Sequence, residues 1–249
     1  MSFRLVMALL ALLATVSASA QAPAQPAPAA QPAAAAAPPA AEAAPAPATA
    51  EAAALKPGDA AAGQAKAATC GACHGIDGNP ASPQYPKLAG QHESYIARQL
   101  MLFKTQKRPN PIMMPMTMAL SEQDMHDLGA YFAGKTALPG VADSTLVARG
   151  EALYRGGDAK AGTPACMACH GPDGRGNPGA AYPQVAGQFA DYVTLRLKDW
   201  QAGKSFGDDD RARVMPAIAK TLSAADIAAL ASYIEGLHAA GTAEATASK

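Results

Sequence analysis

Two segments of the chain, about a hundred residues apart, have apolar residues three and four positions apart, which is the period of one buried helix face. The apolar positions are Met125, Leu128, Tyr131 and Phe132 in the first segment and Ile227, Leu230, Ala231 and Ile234 in the second. Ser121 and Ser223 precede these segments, and each has an aspartate three residues further on, the spacing of a capping box. We therefore predict an amphipathic helix that begins after each serine.

Further helices are predicted over residues 92–106 and 189–203, where apolar positions again follow a helical period. A short helix is predicted to lead into each of two cysteine pairs. No run of residues alternates apolar and polar side chains well enough to predict a strand. The pattern therefore predicts an all-α protein.

The same blocks of sequence occur twice and in the same order, which indicates an internal duplication. Residues 70–78 recur at 166–174, residues 85–91 recur at 182–188, and residues 120–125 recur at 222–227, with offsets of 96, 97 and 102. The growing offset indicates small insertions in the second copy. We place the first domain at residues 56–138 and the second at 142–240. The stretch Leu138–Ala142 is the joint, because Pro and Gly interrupt helices there.

The first 55 residues are predicted to lie outside both domains. Residues 1–20 contain Arg4, an apolar stretch from Leu5 to Val16 and an ending of small residues, the features of a cleaved export signal. This apolar stretch is too short for a membrane-spanning helix, which needs about 20 residues. Residues 21–55 are mostly Ala and Pro and are predicted to form a disordered or polyproline-like tether. We expect the mature protein to be soluble or only peripherally attached to a membrane.

The composition limits both the partners and the core. The chain has 20 basic and 20 acidic residues and no basic tract, which argues against nucleic acid as a partner. It has five Phe and one Trp, so each helical domain has a thin core of its own. Small domains of this kind usually need a cofactor, a metal or disulfides. We therefore expect an apolar cofactor at the centre of each domain.

Each copy contains one Cys-x-x-Cys-His motif, the attachment signature of c-type haem. The motif consists of Cys70, Cys73 and His74 in the first domain and of Cys166, Cys169 and His170 in the second. Two thiols about one helical turn apart can form thioethers to the two haem vinyl groups, and the adjacent histidine then faces the iron. A thioredoxin-like pair, a zinc site and plain disulfides are weaker alternatives, because there is no βαβ pattern, no matching ligand cluster, and a histidine follows each pair. The motifs predict two covalently bound haem c groups.

The other histidines are poor candidates for the second axial ligand of either iron. His92 and His126 have no histidine at the matching position of the other copy, and His238 lies in the C-terminal tail. We interpret all three as surface or packing residues.

Methionines, in contrast, recur at one matching position. Met113 and Met215 each lie eight residues before the capping serine of the last helix, in what we predict to be a loop. A methionine there can reach the open face of a haem, and a thioether opposite histidine raises the reduction potential. Met215 is the only methionine of its segment, whereas Met116 and Met114 remain alternatives to Met113 in the first copy.

A Tyr-Pro step follows each motif, at Pro86 in the first copy and Pro183 in the second. A ligating histidine normally donates its second ring N–H to a backbone carbonyl or another acceptor. The carbonyls of these two prolines are candidates for that role. A rigid loop without such a hydrogen bond is the alternative.

Taken together, these motifs resemble those of the cytochrome c4 family. The resemblance rests on residues 61–75, on Pro-Lys-Leu-Ala-Gly-Gln at 86–91 and on Leu-Ser-x-x-Asp at 120–124, each with its second copy, and it covers about residues 56–238. It implies a periplasmic dihaem carrier of two class I cytochrome c domains packed haem edge to haem edge. Such proteins pass electrons from a quinol-oxidising bc complex towards terminal oxidases. The family's iron ligands fall on His74, Met113, His170 and Met215.

Enzymes with two haems are the main alternative to an electron carrier. A dihaem peroxidase needs one iron with an open coordination site and an acid–base group over it, whereas methionine is predicted at both irons here. A haem subunit of a dehydrogenase complex has the same internal chemistry and differs only in its partner. We predict an electron carrier and not an enzyme.

The two copies differ in charge beside their methionines. The first copy has Lys104, Lys107 and Arg108, whereas the second has three aspartates at residues 208–210. Charges near an exposed haem edge steer the encounter with a partner. These residues therefore suggest that the two domains dock to different partners, and solvated loop charges without such a role are the alternative.

Overall fold

The computed structural model describes residues 55–238, and every regular element in this range is an α-helix. The helices are α1 (Ala60–Lys66), α2 (Ala68–His74), α3 (Glu93–Lys104), α4 (Met113–Thr117), α5 (Glu122–Ala133), α6 (Val147–Gly156), α7 (Met167–His170), α8 (Ala190–Gln201), α9 (Asp210–Ala219) and α10 (Ala224–Gly236). The predicted all-α class is confirmed. The predicted export signal, most of the predicted tether and the last residues of the second domain lie outside the described residues.

The duplication is visible in the helices themselves. The helix α8 begins and ends 97 residues after α3, and α10 begins 102 residues after α5. Both capping boxes are present: the hydroxyl of Ser121 accepts from the backbone N–H of Asp124, and Ser223 accepts from Asp226 in the same way. The four helices predicted from apolar periodicity are therefore confirmed, with ends within three residues of those predicted.

The first and last helices of each domain cross at very short range. A Cβ atom added to Gly63 would lie 2.0 Å from the carbonyl oxygen of Asp127, and one added to Gly150 would lie 2.3 Å from that of Ala229. Only a glycine lets α1 approach α5, and α6 approach α10, this closely. The crossing closes each domain around one apolar cluster.

The two apolar clusters differ in size. The first domain's cluster consists of Ala67, Ile96, Leu128, Tyr131 and Phe132. The second domain's cluster consists of Leu153, Tyr154, Leu197, Leu222, Ile227, Leu230, Tyr233, Ile234 and Leu237. Both clusters continue onto a partly buried cysteine, Cys70 in the first and Cys166 in the second. The cysteine motifs therefore lie against the cores.

The predicted loop location of the two methionines is wrong, because both lie in helices. Met113 is the first residue of α4, where the side-chain oxygen of Asn110 accepts from its backbone N–H at 2.9 Å. Met215 lies inside α9, which Asp209 caps. The following Pro216 cannot donate to the carbonyl of Ala212, and the Ser205 hydroxyl donates to that carbonyl at 3.2 Å instead. Side-chain hydrogen bonds from Asn110, Asp209 and Ser205 thus support two helices that the apolar pattern does not predict.

The chain enters the two cysteine motifs by different routes. In the first domain α1 leads almost directly into α2, as predicted. In the second domain α6 ends at Gly156 and α7 begins only at Met167, so the predicted helix into the motif is wrong there. The intervening residues form a turn closed by an isolated bridge between Asp158 and Thr163. This turn lies before the motif, outside the region between the three repeated blocks whose offsets grow.

Within residues 55–238 no single helix has the length and hydropathy of a membrane span; only α9 and α10 taken together reach them, across a bend of 115°.

Candidate haem sites

His74 ends α2 and is held in one orientation by a backbone carbonyl. The ring is 8% exposed, and its Nδ1 lies 2.9 Å from the carbonyl oxygen of Pro86. Because a carbonyl oxygen only accepts, Nδ1 carries the proton and donates it. Burial lowers the pKa of His74, which keeps the ring neutral. Its Nε2 therefore keeps a lone pair that is free to bind a metal.

His170 repeats this arrangement in the second domain. Its Nδ1 lies 2.9 Å from the carbonyl oxygen of Pro183, and burial lowers its pKa as well. Both proline carbonyls singled out in the sequence thus accept from a histidine, and the alternative of a loop without this hydrogen bond is excluded.

A tight loop closure positions each proline carbonyl. The carbonyl of Gly78 accepts from the backbone N–H groups of Leu88 and Ala89 at 2.8 and 3.1 Å. The carbonyl of Gly174 accepts from the matching amides in the second domain at 2.7 and 3.0 Å. These hydrogen bonds join the start of the loop after each motif to the residues just after the proline, and so fix the position of the proline.

The cysteines of each motif lie half-buried beside the apolar cluster. Burial raises the pKa of Cys70 and raises that of Cys166 to about 11. The thiols therefore face apolar surroundings, as thioethers to vinyl groups at a haem edge would require.

The methionine helices match in burial as well as in sequence register. Met113 and Met215 are both half-buried, and the residues four positions later, Thr117 and Ala219, are both fully buried at 0%. Met116 is 43% exposed. Met215 also packs against the second domain's apolar cluster. Met113 and Met215 thus share partial burial as well as register, and Met114 is half-buried too.

The remaining histidines make ordinary contacts. His126 lies 2.9 Å from a carboxylate oxygen of Glu93, His238 contacts the carbonyl of Gly236, and the Nε2 of His92 is buried without a hydrogen-bond partner among the described residues. The interpretation of these residues as surface or packing groups agrees with these contacts.

Each domain therefore contains the donor set that a haem c needs. Two thiols within one helical turn, a neutral imidazole with a fixed tautomer and a thioether from a separate helix are soft and borderline donors suited to iron. The proline carbonyl supplies the outer hydrogen bond that orients a ligating histidine.

Several of the charges beside the methionines contact the other domain. Lys107 pairs with Asp208 at 2.9 Å, and Arg98 pairs with Asp209 at 2.8 Å. Arg108 is 6% exposed and lies between aromatic rings. Lys107 and Asp208 therefore bind each other across the domain boundary, and the docking of the two domains to different partners stays a prediction.

Comparisons with known proteins agree with this geometry. The family model of cytochrome c matches residues 59–134 and 147–238. Cytochrome c4 of Pseudomonas aeruginosa is 51% identical over 181 residues, 73% of this chain and 90% of that protein. The thiosulfate dehydrogenase electron acceptor of Thiomonas intermedia is 39% identical over 160 residues, 61% of this chain and 71% of that protein.

A solved structure extends the similarity to three dimensions. The crystal structure of reduced recombinant cytochrome c4 from Pseudomonas stutzeri matches with a TM-score of 0.70 at 45% identity, over 73% of this chain and 100% of that one. Two such domains in one chain imply two covalently bound haem c groups.

Proposed function

Because the chain belongs to the cytochrome c4 family, we propose that it carries electrons in the periplasm from a quinol-oxidising bc complex to a terminal oxidase. Electron transfer by a dihaem protein is the general activity of the family. The direction of transfer, the two partner complexes, the periplasmic location and a peripheral association with the membrane are parts of the proposal. So are the domain limits at residues 56–138 and 142–240.

The proposal assigns the haem-binding residues by domain. Cys70 and Cys73 would attach the first haem, and His74 and Met113 would bind its iron. Cys166 and Cys169 would attach the second haem, and His170 and Met215 would bind its iron. The iron of each haem supplies a one-electron redox centre when bound. The chain would hold the histidine and methionine side chains in place, so that neither iron has a coordination position open to a small ligand.

One observation carries the proposal: both motif histidines donate from Nδ1 to a proline carbonyl at the same distance of 2.9 Å. This hydrogen bond fixes the tautomer that a ligating histidine needs and raises its basicity. A redox-active cysteine pair of the thioredoxin kind does not require an oriented histidine next to it, and both copies have one. The repeated bond therefore favours two similar histidine-ligated haems.

The methionine assignment is tested by replacing each candidate separately. The oxidised protein is expected to show the weak near-infrared sulfur-to-iron band of a methionine ligand, and Met113→Ala and Met215→Ala are each expected to remove about half of it. Met114→Ala, Met116→Ala and the exposed control Met118→Ala are expected to leave the band intact. Loss of half the band in Met116→Ala would assign the ligand to Met116 instead.

The absence of enzymatic chemistry is tested with small ligands of iron. With both irons bound by methionine, the reduced protein at neutral pH is expected to bind carbon monoxide slowly or not at all, and to turn over no peroxide. Rapid stoichiometric binding at one haem would support a dihaem peroxidase instead.

A second function is favoured by one comparison. The similarity to the thiosulfate dehydrogenase electron acceptor suggests that this chain accepts electrons from a periplasmic dehydrogenase rather than from a bc complex. Reduction of the purified protein by each donor, measured by stopped flow at equal concentrations, distinguishes the two. Faster reduction by the bc complex supports the first proposal, and faster reduction by a dehydrogenase supports the second.

A further inference from the structure

A glutamine of the second domain holds a backbone segment of the first. The side chain of Gln188 accepts from the backbone N–H of Lys87 through Oε1 at 3.0 Å and donates to the carbonyl of Lys87 through Nε2 at 3.0 Å. Oε1 also accepts from the backbone N–H of Phe189 at 3.1 Å. The side-chain oxygen thus faces two N–H groups and the side-chain nitrogen faces a carbonyl. This arrangement fixes which way the amide group points.

The first domain returns the same contact from the matching position. Gln91 accepts from the backbone N–H of Gln184 at 3.0 Å and donates to its carbonyl at 2.9 Å. Its Oε1 also accepts from the backbone N–H of His92 at 3.0 Å. Gln91 and Gln188 are equivalent in the duplication, so the two contacts form one pseudo-symmetric clasp between the domains.

Each end of the clasp reaches the peptide group that holds a haem histidine. The N–H of Lys87 belongs to the same peptide unit as the carbonyl of Pro86, which accepts from His74. A peptide that donates to Gln188 is polarised, and its carbonyl becomes a stronger acceptor. The continuous path therefore runs from His74 through one peptide to a side chain of the other domain.

The path from the second histidine is the mirror image. His170 donates to the carbonyl of Pro183, and the N–H of the same peptide unit, on Gln184, donates to Gln91. Short contacts keep this region in place: the ammonium group of Lys87 donates to the carbonyl of Gly187 at 2.6 Å, and Gln91 is only 8% exposed. Neither glutamine side chain can turn towards solvent without breaking three hydrogen bonds.

We propose that Gln188 and Gln91 are positioning residues that each set the reduction potential of the haem in the opposite domain. The inference rests on the proposed ligation by His74 and His170. Strengthening the histidine–carbonyl bond increases electron donation to the iron and favours its oxidised state. Each clasp therefore lowers the potential of the haem across the interface, and the docking of the domains tunes both centres.

The test uses the full holoprotein and follows the two haems separately. In a redox titration monitored by paramagnetic NMR, with ligand resonances assigned to their own domains, Gln188→Ala is expected to raise the potential of the first haem relative to the second. Gln91→Ala is expected to change this difference in the opposite direction. The double variant is expected to raise both potentials and largely restore the difference.

Amide exchange supplies a readout that does not depend on the haems. Gln188→Ala is expected to speed exchange at the Lys87 amide by roughly fivefold, as for the loss of one hydrogen bond of about 1 kcal/mol, and to leave the Gln184 amide unchanged. Gln188→Met keeps the length and the zero charge of the side chain without its amide group, and is expected to speed exchange at the Lys87 amide and to raise the first haem's potential relative to the second, as Gln188→Ala does. This variant keeps the test decisive where the alanine variant folds poorly.

Tyr192→Phe is the matched control, because it removes one hydrogen bond across the same interface, the 2.9 Å contact with Arg108, without a change of net charge. It is expected to leave the difference between the potentials unchanged. Equal shifts of both haems in Gln188→Ala, a shift confined to the second haem, or no shift would overturn the inference. A wild-type protein without histidine-ligated haem would instead overturn the proposed function.

Discussion

The motif histidines of the two domains make the same hydrogen bond at the same length. The helices around the motifs, in contrast, hold the following loop through different residues. His74 and His170 each donate to a proline carbonyl at 2.9 Å. The loop that follows each motif is also tied down by a tyrosine. Tyr131 donates to the carbonyl of Ile76 from the last helix of the first domain, and Tyr154 donates to that of Gly171 from the first helix of the second, both at 2.7 Å.

The difference shows which parts of a duplicated domain are constrained. The groups that orient the histidine, and the two glutamines that cross the domain interface, have kept residue type and position. The tyrosine that donates to a loop carbonyl lies on the last helix in one domain and on the first helix in the other. Its position is less constrained, because a hydroxyl from either helix avoids the cost of an unpaired carbonyl. The hydrogen bonds of the motif histidines are thus held more strictly than core composition.

The largest expected effect comes from removing one haem at a time. The double variant Cys70→Ala/Cys73→Ala is expected to lose one haem by intact mass, together with most of the helical structure of the first domain. The corresponding variant at Cys166 and Cys169 is expected to lose one haem but less helix, because the second domain's apolar cluster is larger. Circular dichroism of the two variants, matched for haem content, measures the difference. Equal losses of helix would show that core size does not govern the dependence on haem.

A smaller effect is expected from the two tyrosine hydroxyls. Tyr154→Phe leaves a carbonyl unpaired beside a fully buried ring, and is expected to reduce the free energy of unfolding by about 2 kcal/mol. Tyr131→Phe exposes a carbonyl next to a solvent-exposed residue, Ile76, and is expected to cost about 1 kcal/mol. Denaturant unfolding of the holoprotein measures both. A larger loss in Tyr131→Phe would mean that the tyrosine of the first domain has the more important role.

Much of the fold was accessible from the sequence because repetition and capping are local signals. The duplicated blocks, the serine caps and the apolar period identify the two long helices of each domain and the haem motifs. The helical conformation of Met113 and Met215 was missed, because prolines follow at positions 115 and 216 and the nearby Asn110 and Asp209 were not recognised as helix-starting residues. Pairwise contacts between domains leave no periodic trace in a single sequence.

The sequence contains one signal of the glutamine clasp, although it does not identify the contact. Gln91 and Gln188 recur within the repeated Leu/Val-Ala-Gly-Gln block, and a polar side chain retained in both copies beside a haem motif points to a specific contact. Its partner, however, is a backbone N–H in the other domain. Only the relative position of the domains reveals that pairing, and sequence periodicity does not encode it.

Acid sensitivity is expected to differ between the domains because of one carboxylate. Asp127 contacts Lys66 at 2.8 Å and the backbone N–H of Asp59 at 3.0 Å, and these contacts lower its pKa from 3.8 to about 2. Because the folded-state pKa is depressed, the ionised form stabilises the first domain above pH 4, and this contribution disappears as the pH falls towards 2. The matching residue of the second domain is Ala229.

The measurement compares amide exchange in α5 and α10 between pH 5 and pH 2. In the wild type, α5 is expected to lose protection at higher pH than α10. Asp127→Asn, which keeps the shape of the side chain, is expected to shift the acid-induced loss in α5 slightly and to leave α10 unchanged. An unchanged profile in α5 would show that the carboxylate does not stabilise the folded domain.

The smallest expected effect concerns the charges that join the two domains. Lys107 and Asp208 form a pair whose side chains are 49% and 75% exposed, whereas Arg98, which pairs with Asp209, is only 26% exposed. Exposed pairs contribute about 0.5 kcal/mol and are screened by salt. A double-mutant cycle with Lys107→Met and Asp208→Asn is therefore expected to give a coupling near that value at low salt and almost none at high salt. The cycle with Arg98→Met and Asp209→Asn is expected to give a larger coupling that persists, because a less exposed pair is less screened. Slower electron exchange of Lys107→Met with an acidic partner, without any change in the coupling of the domains, would mean that these residues steer partners rather than hold the interface.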